Sequence, residues 1–457
     1  MVDHRWVPEK LSMAEVGEGR MQLFSVTNHP TKEQFSAREE LEKRYRSLMK
    51  EALHWSPLVS YMGNKQVPLL RLYRFKEAFS LTLALELVQR FRLTTDDLLL
   101  DPFCGMGTTL FAGMIKGVPS IGIDRLPVAA FIAQTIPKFF QLRQGSLLEA
   151  FHALKAKVQT LEPAPIADDV PVMKIAFEHE TLMALRRWKT ALQLLESPLQ
   201  EVLQFLLMSI LEPCSFMSND GQFLRWKRNK QPLLPEVALE RKVIEAEHDL
   251  LRARQLFGEP KRDAIPQVFT GDARKLAEVS LKRPPSAVIT SPPYPNRYDY
   301  TRSYSLELCF FFVSSFEELK SVRFSLLRSH IESKTNDHDQ PWHPAVAEVL
   351  QALQRKPLNN PRIPMMLLAY FVDMEQVIRS LAEVCASGAS VAMVVDNVRF
   401  EGEMVPTDLI LCDIATRYGF ETEGIIVARY KGNSSQQMRR YGRLPVRESV
   451  LLWRLRR

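Results

Sequence analysis

The most constraining feature of this 457-residue chain is a short apolar run that ends in an acidic residue and a glycine-rich turn. Leu98-Leu99-Leu100 leads into Asp101-Pro102-Phe103-Cys104-Gly105-Met106-Gly107-Thr108-Thr109, and a helical pattern from Leu110 to Lys116 ends at Gly117. Ser120-Ile121-Gly122-Ile123-Asp124 follows as the next predicted strand. A strand, a tight turn, a helix and a second strand open a doubly wound α/β sheet. The chain is therefore predicted to fold around a largely parallel sheet.

Further apolar segments predict the rest of that sheet. Five more strands bring the expected number to seven, and the last two form a hairpin: 267–270, 287–290, 390–395, 424–429 and 448–454. Four helices are predicted from apolar residues at three-to-four spacing: 35–53, 68–91, 370–386 and 408–418. The polar stretch 321–364 is rich in Arg, His, Asn and Pro, so it predicts a loop-rich excursion.

Length and composition divide the chain. It is too long for one average domain, and 46% of its residues are apolar, which is enough for a large core. Between 139 and 262, Leu, Ala, Glu, Lys and Arg dominate and strand-like segments are few, so an inserted helical region is predicted. The expected organisation is an N-terminal helical segment (1–66), two halves of a sheet core (67–138 and 263–457) and the helical insertion (139–262).

Charge and cysteine usage restrict the class of protein. Lys and Arg outnumber Asp and Glu by 60 to 53, and the resulting net charge of +7 is a modest excess that a polyanion would complement. The five cysteines are scattered without a CxxC and the histidines form no HExxH, so no disulfide framework or metal site is expected. No apolar run reaches the ~20 residues of a membrane span. A cytoplasmic protein without a membrane partner is the expectation.

A second motif follows the predicted strand at 287–290. It reads Thr290-Ser291-Pro292-Pro293-Tyr294. Together the two motifs resemble the paired signatures of the amino-methylating DNA methyltransferases, which move a methyl group from S-adenosylmethionine to an exocyclic nitrogen of a base. The resemblance covers roughly half the chain and implies a class I S-adenosylmethionine-dependent methyltransferase (Rossmann-like) fold with a seven-stranded sheet.

The glycine loop is the expected cofactor site. Glycines let the backbone approach a ligand closely, and an acidic side chain at each strand end suits a cationic sulfonium, two ribose hydroxyls or an adenine amine. For these three roles we expect Asp101, Asp124 and Asp272, respectively. The resemblance extends the cofactor-binding set to the following residues: Asp101, Phe103, Gly105, Gly107, Thr108, Thr109, Asp124 and Asp272. The alternative is structural, with Asp101 and Gly105 shaping a turn and Asp124 capping a helix.

The second motif is the expected catalytic site, formed by Ser291, Pro292, Pro293 and Tyr294. Acceptors aimed at an exocyclic amine localise its lone pair, and the Ser291 hydroxyl and the Pro292 carbonyl are the candidates. Tyr294 offers a flat face to a base extruded from the duplex. The alternative is a proline-stiffened loop. Cys104 and Cys214 are expected to be core thiols, because this chemistry needs no covalent intermediate.

The resemblance favours cytosine N4 as the methylated atom. In the family, a Ser in first place of the second motif accompanies cytosine N4 methylation more often than adenine N6 methylation, so cytosine in DNA is the prediction and adenine the alternative. An RNA base methyltransferase and an inactive subunit of a defence complex are further alternatives. A restriction or defence-system partner fits the same family.

Candidate DNA contacts are basic residues with aromatic neighbours. One basic run surrounds a tryptophan and consists of Arg225, Lys227, Arg228 and Lys230. This run either binds phosphates or forms the solvated end of a helix. Arg297, Tyr300 and Arg302 continue the second motif with a mixture suited to stacking and phosphate pairing. The alternative there is a helix whose tyrosines pack inward.

Overall fold

The structure is a computed structural model that describes residues 36–456, except 220–222, 335, 337–338, 433–434 and 443, and it does not describe the side chains of 435–437. Most of the predicted N-terminal segment, residues 1–35, therefore lies outside the described part of the chain. Within the described residues, no helix combines the length and the apolar character needed to cross a membrane.

The described residues form twelve strands and sixteen α-helices. The strands are β1 (Met49–Glu51), β2 (Leu99–Asp101), β3 (Ser120–Asp124), β4 (Met217–Asn219), β5 (Leu224–Trp226), β6 (Gln267–Thr270), β7 (Ala287–Thr290), β8 (Ser390–Asp396), β9 (Val398–Phe400), β10 (Glu403–Val405), β11 (Phe420–Lys431) and β12 (Val446–Leu455). The helices are α1 (Ala37–Tyr45), α2 (Leu81–Arg90), α3 (Thr108–Lys116), α4 (Pro127–Thr135), α5 (Ser146–Lys155), α6 (Pro171–Ile175), α7 (His179–Ala191), α8 (Leu199–Ser209), α9 (Pro235–Phe257), α10 (Tyr300–Ser303), α11 (Ser305–Glu307), α12 (Phe316–Ser325), α13 (Pro344–Gln354), α14 (Ile363–Val384), α15 (Thr407–Arg417) and α16 (Ser435–Tyr441).

Eight of the described strands form one mostly parallel sheet. Its spatial order is β1-β11-β12-β8-β7-β2-β3-β6, and only β12 runs antiparallel to its neighbours. All seven predicted strands are present, but the sheet has one strand more than predicted. Strand β1 pairs with Ile425–Val427 of β11, where a continuous helix over 35–53 was expected. The helix prediction was wrong there because β1 lies at the sheet edge with Lys50 and Glu51 exposed, so no apolar alternation marks it.

The interior strands are buried on both faces, as parallel strands usually are. Ile289 packs in one hydrophobic cluster together with residues of α2, α3, α8 and α9. Val288, its neighbour in β7, packs in a second cluster with α13, α14 and α15 on the opposite face. Successive side chains of a strand point to opposite faces, so the two clusters are the two layers of helices that cover the sheet.

The order of the strands positions a crevice. From β2 the chain continues outward to β3 and β6, and it then returns to the other side of β2 as β7 and β8. Ligands of open α/β sheets bind outside the carboxyl ends of the strands where the direction of winding reverses in this way. That point lies between β2, which ends at Asp101, and β7, which ends at Thr290.

The segment 68–91 is α-helical only in its last part and has a short 3-10 turn at Leu70–Leu72, contrary to the prediction of one continuous helix. Helix α2 begins after Ser80, whose hydroxyl accepts a hydrogen bond from the Leu83 N–H at 3.2 Å. The buried Asn64 side chain also accepts from the Leu81 N–H at 2.8 Å. These contacts fix the start of α2, and the residues before it run past the carboxyl ends of the strands instead. Helix propensity was overridden by tertiary contacts.

The two predicted peripheral regions also differ in detail from expectation. The excursion 321–364 contains α13 and the end of α12, because the apolar face of α13 packs into the second cluster. The helical region 139–262 contains α5 to α9 as expected, and also the small antiparallel hairpin of β4 and β5. The basic run that begins at Arg225 is therefore a strand and a turn, and the helix end considered as its alternative is wrong.

Candidate active site

The carboxyl ends of β2, β3, β6 and β7 border a cavity of about 460 Å³. Both sequence motifs line it, because β2 and β7 are hydrogen-bonded neighbours in the sheet. The predicted residues found in its wall are the following: Asp101, Phe103, Gly105, Thr108, Thr109, Asp124, Asp272, Ser291, Pro292, Pro293, Tyr294 and Tyr300. Two stretches that are far apart in the chain thus form one site.

The glycine loop owes its shape to two left-handed residues. Gly105 has φ +52° and Gly107 has φ +85°, values that side chains with a Cβ rarely adopt. A Cβ on Gly105 would lie 3.1 Å from the Phe75 ring, and one on Gly107 would lie 3.1 Å from the Ala133 Cβ. Gly107 caps α3 and does not line the cavity. Its contribution is therefore the turn, whereas Gly105 is part of the cavity wall.

Asp101 lies buried at the end of β2, with 2% of its surface exposed. Its Oδ1 accepts a hydrogen bond from the Thr290 hydroxyl at 2.6 Å and from the Phe103 N–H at 3.1 Å. Burial raises the pKa of Asp101 to about 7, more than these hydrogen bonds lower it. One hydrogen bond thus joins the end of β2 directly to the residue before Ser291.

Asp124 occupies the equivalent position at the end of β3. Its two oxygens accept hydrogen bonds from the Gly105 N–H at 2.8 Å and the Leu126 N–H at 2.9 Å. Burial raises the pKa of Asp124 to about 6 although these backbone donors oppose the shift. Helix α4 has Leu126 at its N-cap and no side-chain cap, so the capping role considered for Asp124 is not found. The Asp124 carboxylate holds the glycine loop instead, and it lines the cavity.

Glu77 is a third carboxylate in this part of the wall. Burial raises its pKa, while hydrogen bonds from the Tyr298 and Tyr304 hydroxyls act in the opposite direction. We call Asp101, Asp124 and Glu77 the acidic wall. Among the described residues, none of the three forms an ion pair with a Lys, Arg or His side chain within 4.0 Å.

Asp272 lines the cavity after β6 but has a cationic partner. Arg274 donates from Nε to Oδ1 at 2.9 Å and from a terminal nitrogen to Oδ2 at 2.7 Å. Burial would raise the pKa of Asp272, but the hydrogen bonds and charge of Arg274 hold it below its ordinary value. Arg274 also pairs with the buried Asp373 at 2.9 Å. The expected acceptor for an adenine amine is therefore already part of a structural ion-pair chain, although carboxylate lone pairs remain.

Ser291 and Tyr294 form the opposite side of the cavity. The Ser291 hydroxyl lies 3.2 Å from the Val394 carbonyl oxygen and 3.4 Å from the Tyr294 hydroxyl. The Tyr294 hydroxyl in turn donates to the Glu448 carboxylate at 3.0 Å. A hydroxyl that donates to a carbonyl keeps its oxygen lone pairs for another donor. Ser291 is therefore oriented as an acceptor toward the cavity.

Four charged residues that the sequence analysis did not single out complete this side. We call Asp396, Arg429, Lys431 and Glu448 the charge-paired wall, and all four line the cavity. The Lys431 ammonium contacts Asp396 at 2.9 Å and Glu448 at 3.0 Å, and Arg429 also pairs with Glu448. Burial and the charge of Glu448 raise the pKa of Asp396 to about 7. The available signal was an acidic residue at the end of a strand that is otherwise apolar, at 390–396.

Asp396 has one unused acceptor. Its Oδ1 is buried and has no hydrogen-bond partner among the described residues, while Oδ2 accepts from Lys431. A buried acceptor without a donor costs free energy, on the order of 1–3 kcal/mol. This atom is thus a natural acceptor for a donor that enters the cavity.

The other candidate contact residues lie outside the cavity wall. Arg297 stacks on Phe400 with its guanidinium carbon 5.6 Å from the ring centroid, and Arg302 pairs with Glu332 at 3.0 Å. Lys230 donates to the main-chain carbonyl of Glu212 at 2.5 Å, inside the base of the β4–β5 hairpin. The structure therefore gives these three cations intramolecular partners. The remaining three are exposed on that hairpin and the turn after it: Arg225, Lys227 and Arg228.

Two cysteines were predicted to be core thiols, and both are buried. Burial raises the pKa of the Cys214 thiol to about 12 and that of Cys104 well above its ordinary value. A thiolate is the nucleophilic form of cysteine, so neither side chain is prepared for covalent attack.

Comparison with known proteins identifies relatives over nearly the whole chain. A type II methyltransferase, M.AvaI, from a Nostoc species is 33% identical over 449 residues, which cover 91% of this chain and 92% of the relative. The M.AvaI protein of Anabaena variabilis matches equally well. A type II methyltransferase, M.BsoBI, from Geobacillus stearothermophilus is 30% identical over 475 residues and 91% of each chain. No protein-family profile matches the chain.

Solved structures resemble the chain only weakly. TrmN from Thermus thermophilus is 9% identical with a TM-score of 0.29, covering 86% of this chain and 53% of that protein. The rRNA methyltransferase aviRa from Streptomyces viridochromogenes is 13% identical with a TM-score of 0.30, covering 83% of this chain and 86% of that protein. Likeness at this level supports no argument about substrate.

Proposed function

The chain belongs to the type II methyltransferase family, and from that premise we propose that it transfers a methyl group from S-adenosylmethionine to the exocyclic N4 of cytosine at specific sites in DNA. We also propose that its sheet is of the class I methyltransferase type and that the methylation protects DNA from a partner restriction enzyme. The single observation that carries the proposal is that both motifs line one cavity at neighbouring strand ends.

The acidic wall suits this cofactor. Three carboxylates without a cationic partner among the described residues surround one end of the cavity, and S-adenosylmethionine carries a sulfonium and an ammonium. When bound, the cofactor supplies an activated methyl group. Asp101 and Glu77 would offset its positive charge, and Asp124, at the end of the next strand, would accept from the ribose hydroxyls. The Gly105 backbone, without a Cβ, allows close approach.

The Ser291 side of the cavity suits an exocyclic amine. Such an amine is a poor nucleophile because its lone pair is delocalised into the ring. The Ser291 oxygen and the Pro292 carbonyl would accept from the two N–H groups and localise the lone pair. Ser291 is held for this role by its contact with the Val394 carbonyl. Pro292 and Pro293 have no N–H, so no local donor competes for that carbonyl.

Two members of the charge-paired wall would support the reaction. The amine must lose a proton after methylation, and the Asp396 Oδ1 is a buried acceptor without a donor at the cavity wall. Glu448 fixes the Tyr294 hydroxyl, and hence the plane on which an extruded base would stack. The protein would therefore accept the proton and orient the base with its own side chains.

Cytosine is proposed over adenine because of the Ser in first place of the second motif, as in the resembling family. Adenine N6 methylation is the alternative product of the same site. Two further alternatives are RNA as the substrate and an inactive scaffold. The transfer assay below tests both of them together with the choice of base.

The test is a transfer assay with the purified chain. We expect labelled S-adenosylmethionine to label duplex DNA of mixed sequence but not transfer RNA, and nucleoside mass spectrometry of the product to show N4-methylcytosine. Methyladenine would correct the base, label in RNA alone would refute DNA as the substrate, and absence of label from both would indicate an inactive scaffold.

A further inference from the structure

The β4–β5 hairpin carries two large exposed aromatic side chains. Phe223 is 44% exposed and Trp226 is 46% exposed, so neither ring is packed in the core. The Arg225 guanidinium carbon lies 5.7 Å from the centroid of the Phe223 ring. Flat rings beside arginine are the side chains on which nucleic-acid bases stack.

The hairpin is fixed to the wall of the cavity. Lys76, which lines the cavity, donates from Nζ to the Asn219 main-chain oxygen at 2.6 Å and to its side-chain oxygen at 2.8 Å. The Asn219 N–H donates to the Glu212 carboxylate at 3.1 Å, which closes the base of the hairpin. The exposed aromatic residues are thus held at the side of the cavity and do not belong to a separate domain.

Cations cluster at the same side of the cavity around Tyr61, which also lines it. The Lys65 ammonium lies 5.3 Å from the centroid of the Tyr61 ring. Burial would raise the pKa of Tyr61, but a hydrogen bond from Arg74 and the charges of Arg74, Lys65 and Lys76 hold it below its ordinary value. Lys65 and Arg74 are exposed, and neither has a carboxylate partner within 4.0 Å among the described residues. Like charges held close together are stabilised by a bound polyanion.

From these two features we propose that the hairpin residues Phe223 and Trp226, with the exposed cations Lys65 and Arg74, form the surface that holds duplex DNA beside the cavity. The cations bind phosphates, and the rings stack on bases exposed when the target base leaves the duplex. This inference rests on the proposed function, since it takes DNA as the substrate. It adds a contact surface formed by residues from two separate parts of the chain.

The test compares two double variants that lose the same charge. Lys65→Ala/Arg74→Ala removes two cations of this surface, and Lys116→Ala/Lys282→Ala removes two exposed cations that precede β3 and β7, on the side where those strands begin. Binding to a mixed-sequence duplex is measured by fluorescence anisotropy over a range of salt concentrations. We expect the first variant to bind on the order of tenfold more weakly, with the slope of log affinity against log salt reduced by about two. The control should match the wild-type protein.

The aromatic residues are tested separately. Phe223→Ala/Trp226→Ala should weaken duplex binding on the order of tenfold without changing the salt slope, because stacking releases no counterions. Phe223→Tyr/Trp226→Phe should restore the affinity. Unchanged affinity for the duplex in both the cation and the aromatic variants would overturn the proposal. So would variants that bind the duplex normally and lose only binding to RNA.

Binding and methyl transfer are separate readouts. If the chain binds DNA through this surface but transfers no methyl group, the proposed function fails and the surface stands. If the chain methylates DNA and the surface variants bind normally, the surface fails and the proposed function stands.

Discussion

The two sides of the cavity accommodate buried negative charge in opposite ways. The acidic wall holds its carboxylates with backbone N–H groups and hydroxyls. Among the described residues no Lys, Arg or His pairs with them within 4.0 Å, although the charge of Lys76 acts to lower the pKa of Glu77 against the effect of burial. The charge-paired wall supplies two carboxylates and two cations of its own, joined by contacts such as Lys431 to Asp396 at 2.9 Å. The acidic wall therefore needs a cationic ligand to balance its charge. The charge-paired wall is already close to neutral and suits a neutral base.

The largest expected effect tests whether the two walls act separately. Ser291→Ala removes the acceptor for the target amine, so we expect kcat to fall by about 100-fold or more. The Kd for S-adenosylmethionine, measured by calorimetry, should stay within twofold of the wild-type value, roughly 0.4 kcal/mol. If the variant instead loses cofactor binding, the division of the cavity is wrong.

The next effect comes from the acidic wall itself. Asp124→Asn removes a charged acceptor, and we expect the Kd for the cofactor to rise roughly 10- to 100-fold. At saturating cofactor, kcat should change much less. Asp96→Asn is the matched control, because Asp96 is an exposed acid in the loop before β2 that does not line the cavity. Equal losses in both variants would show that the effect is not local.

The residues of the two walls differ in how well the sequence predicts them. Asp101, Gly105 and Ser291 all line the cavity, and the sequence singles them out because each belongs to a short motif at a strand end. The charge-paired wall was missed, since Asp396 and Glu448 come together only when β12 pairs with β8. The segment that carries Glu77 was predicted as helix, and it instead runs along the cavity.

The elements of the fold also differ in how well local sequence pattern predicts them. Segments with strong periodicity, such as α15 and the interior strands, were predicted within a few residues. Strand β1 and the start of α2 depend on partners elsewhere in the chain, namely Ile425–Val427 and Asn64. Local pattern carries no information about such partners.

A smaller effect is the dependence of cofactor affinity on pH. In the free protein the pKa of Asp101 is raised to about 7 and that of Asp124 to about 6. A cationic ligand favours the ionised carboxylates, so binding should release protons below about pH 7 and tighten as the pH rises, by at most about tenfold per pH unit for each proton. Calorimetry in buffers of different ionisation enthalpy measures the protons released. Affinity that is independent of pH would contradict the charge assigned to this wall.

The last effect concerns stability. Burial raises the pKa of Asp101 from 3.8 to about 7, so the folded chain binds more protons than the unfolded chain between these values. The free energy of unfolding should therefore fall as pH rises through that window, by at most about 1.4 kcal/mol per pH unit from this group.

Urea denaturation at several pH values measures this slope. Asp101→Asn should flatten it. Adding the cofactor should flatten only the contribution of the acidic wall, leaving that of Asp396, whose pKa is also raised to about 7. A cofactor that removes the whole slope would show that the two walls titrate together.

The hydrogen bond from the Thr290 hydroxyl to Asp101 spans only 2.6 Å, yet it connects the proposed cofactor site with the proposed base site. A cation that ionises Asp101 strengthens this bond and restrains the residue adjacent to Ser291. We therefore expect positive cooperativity between cofactor and DNA, transmitted through one hydroxyl group. By reciprocity, bound DNA must then raise the affinity for the cofactor by the same factor.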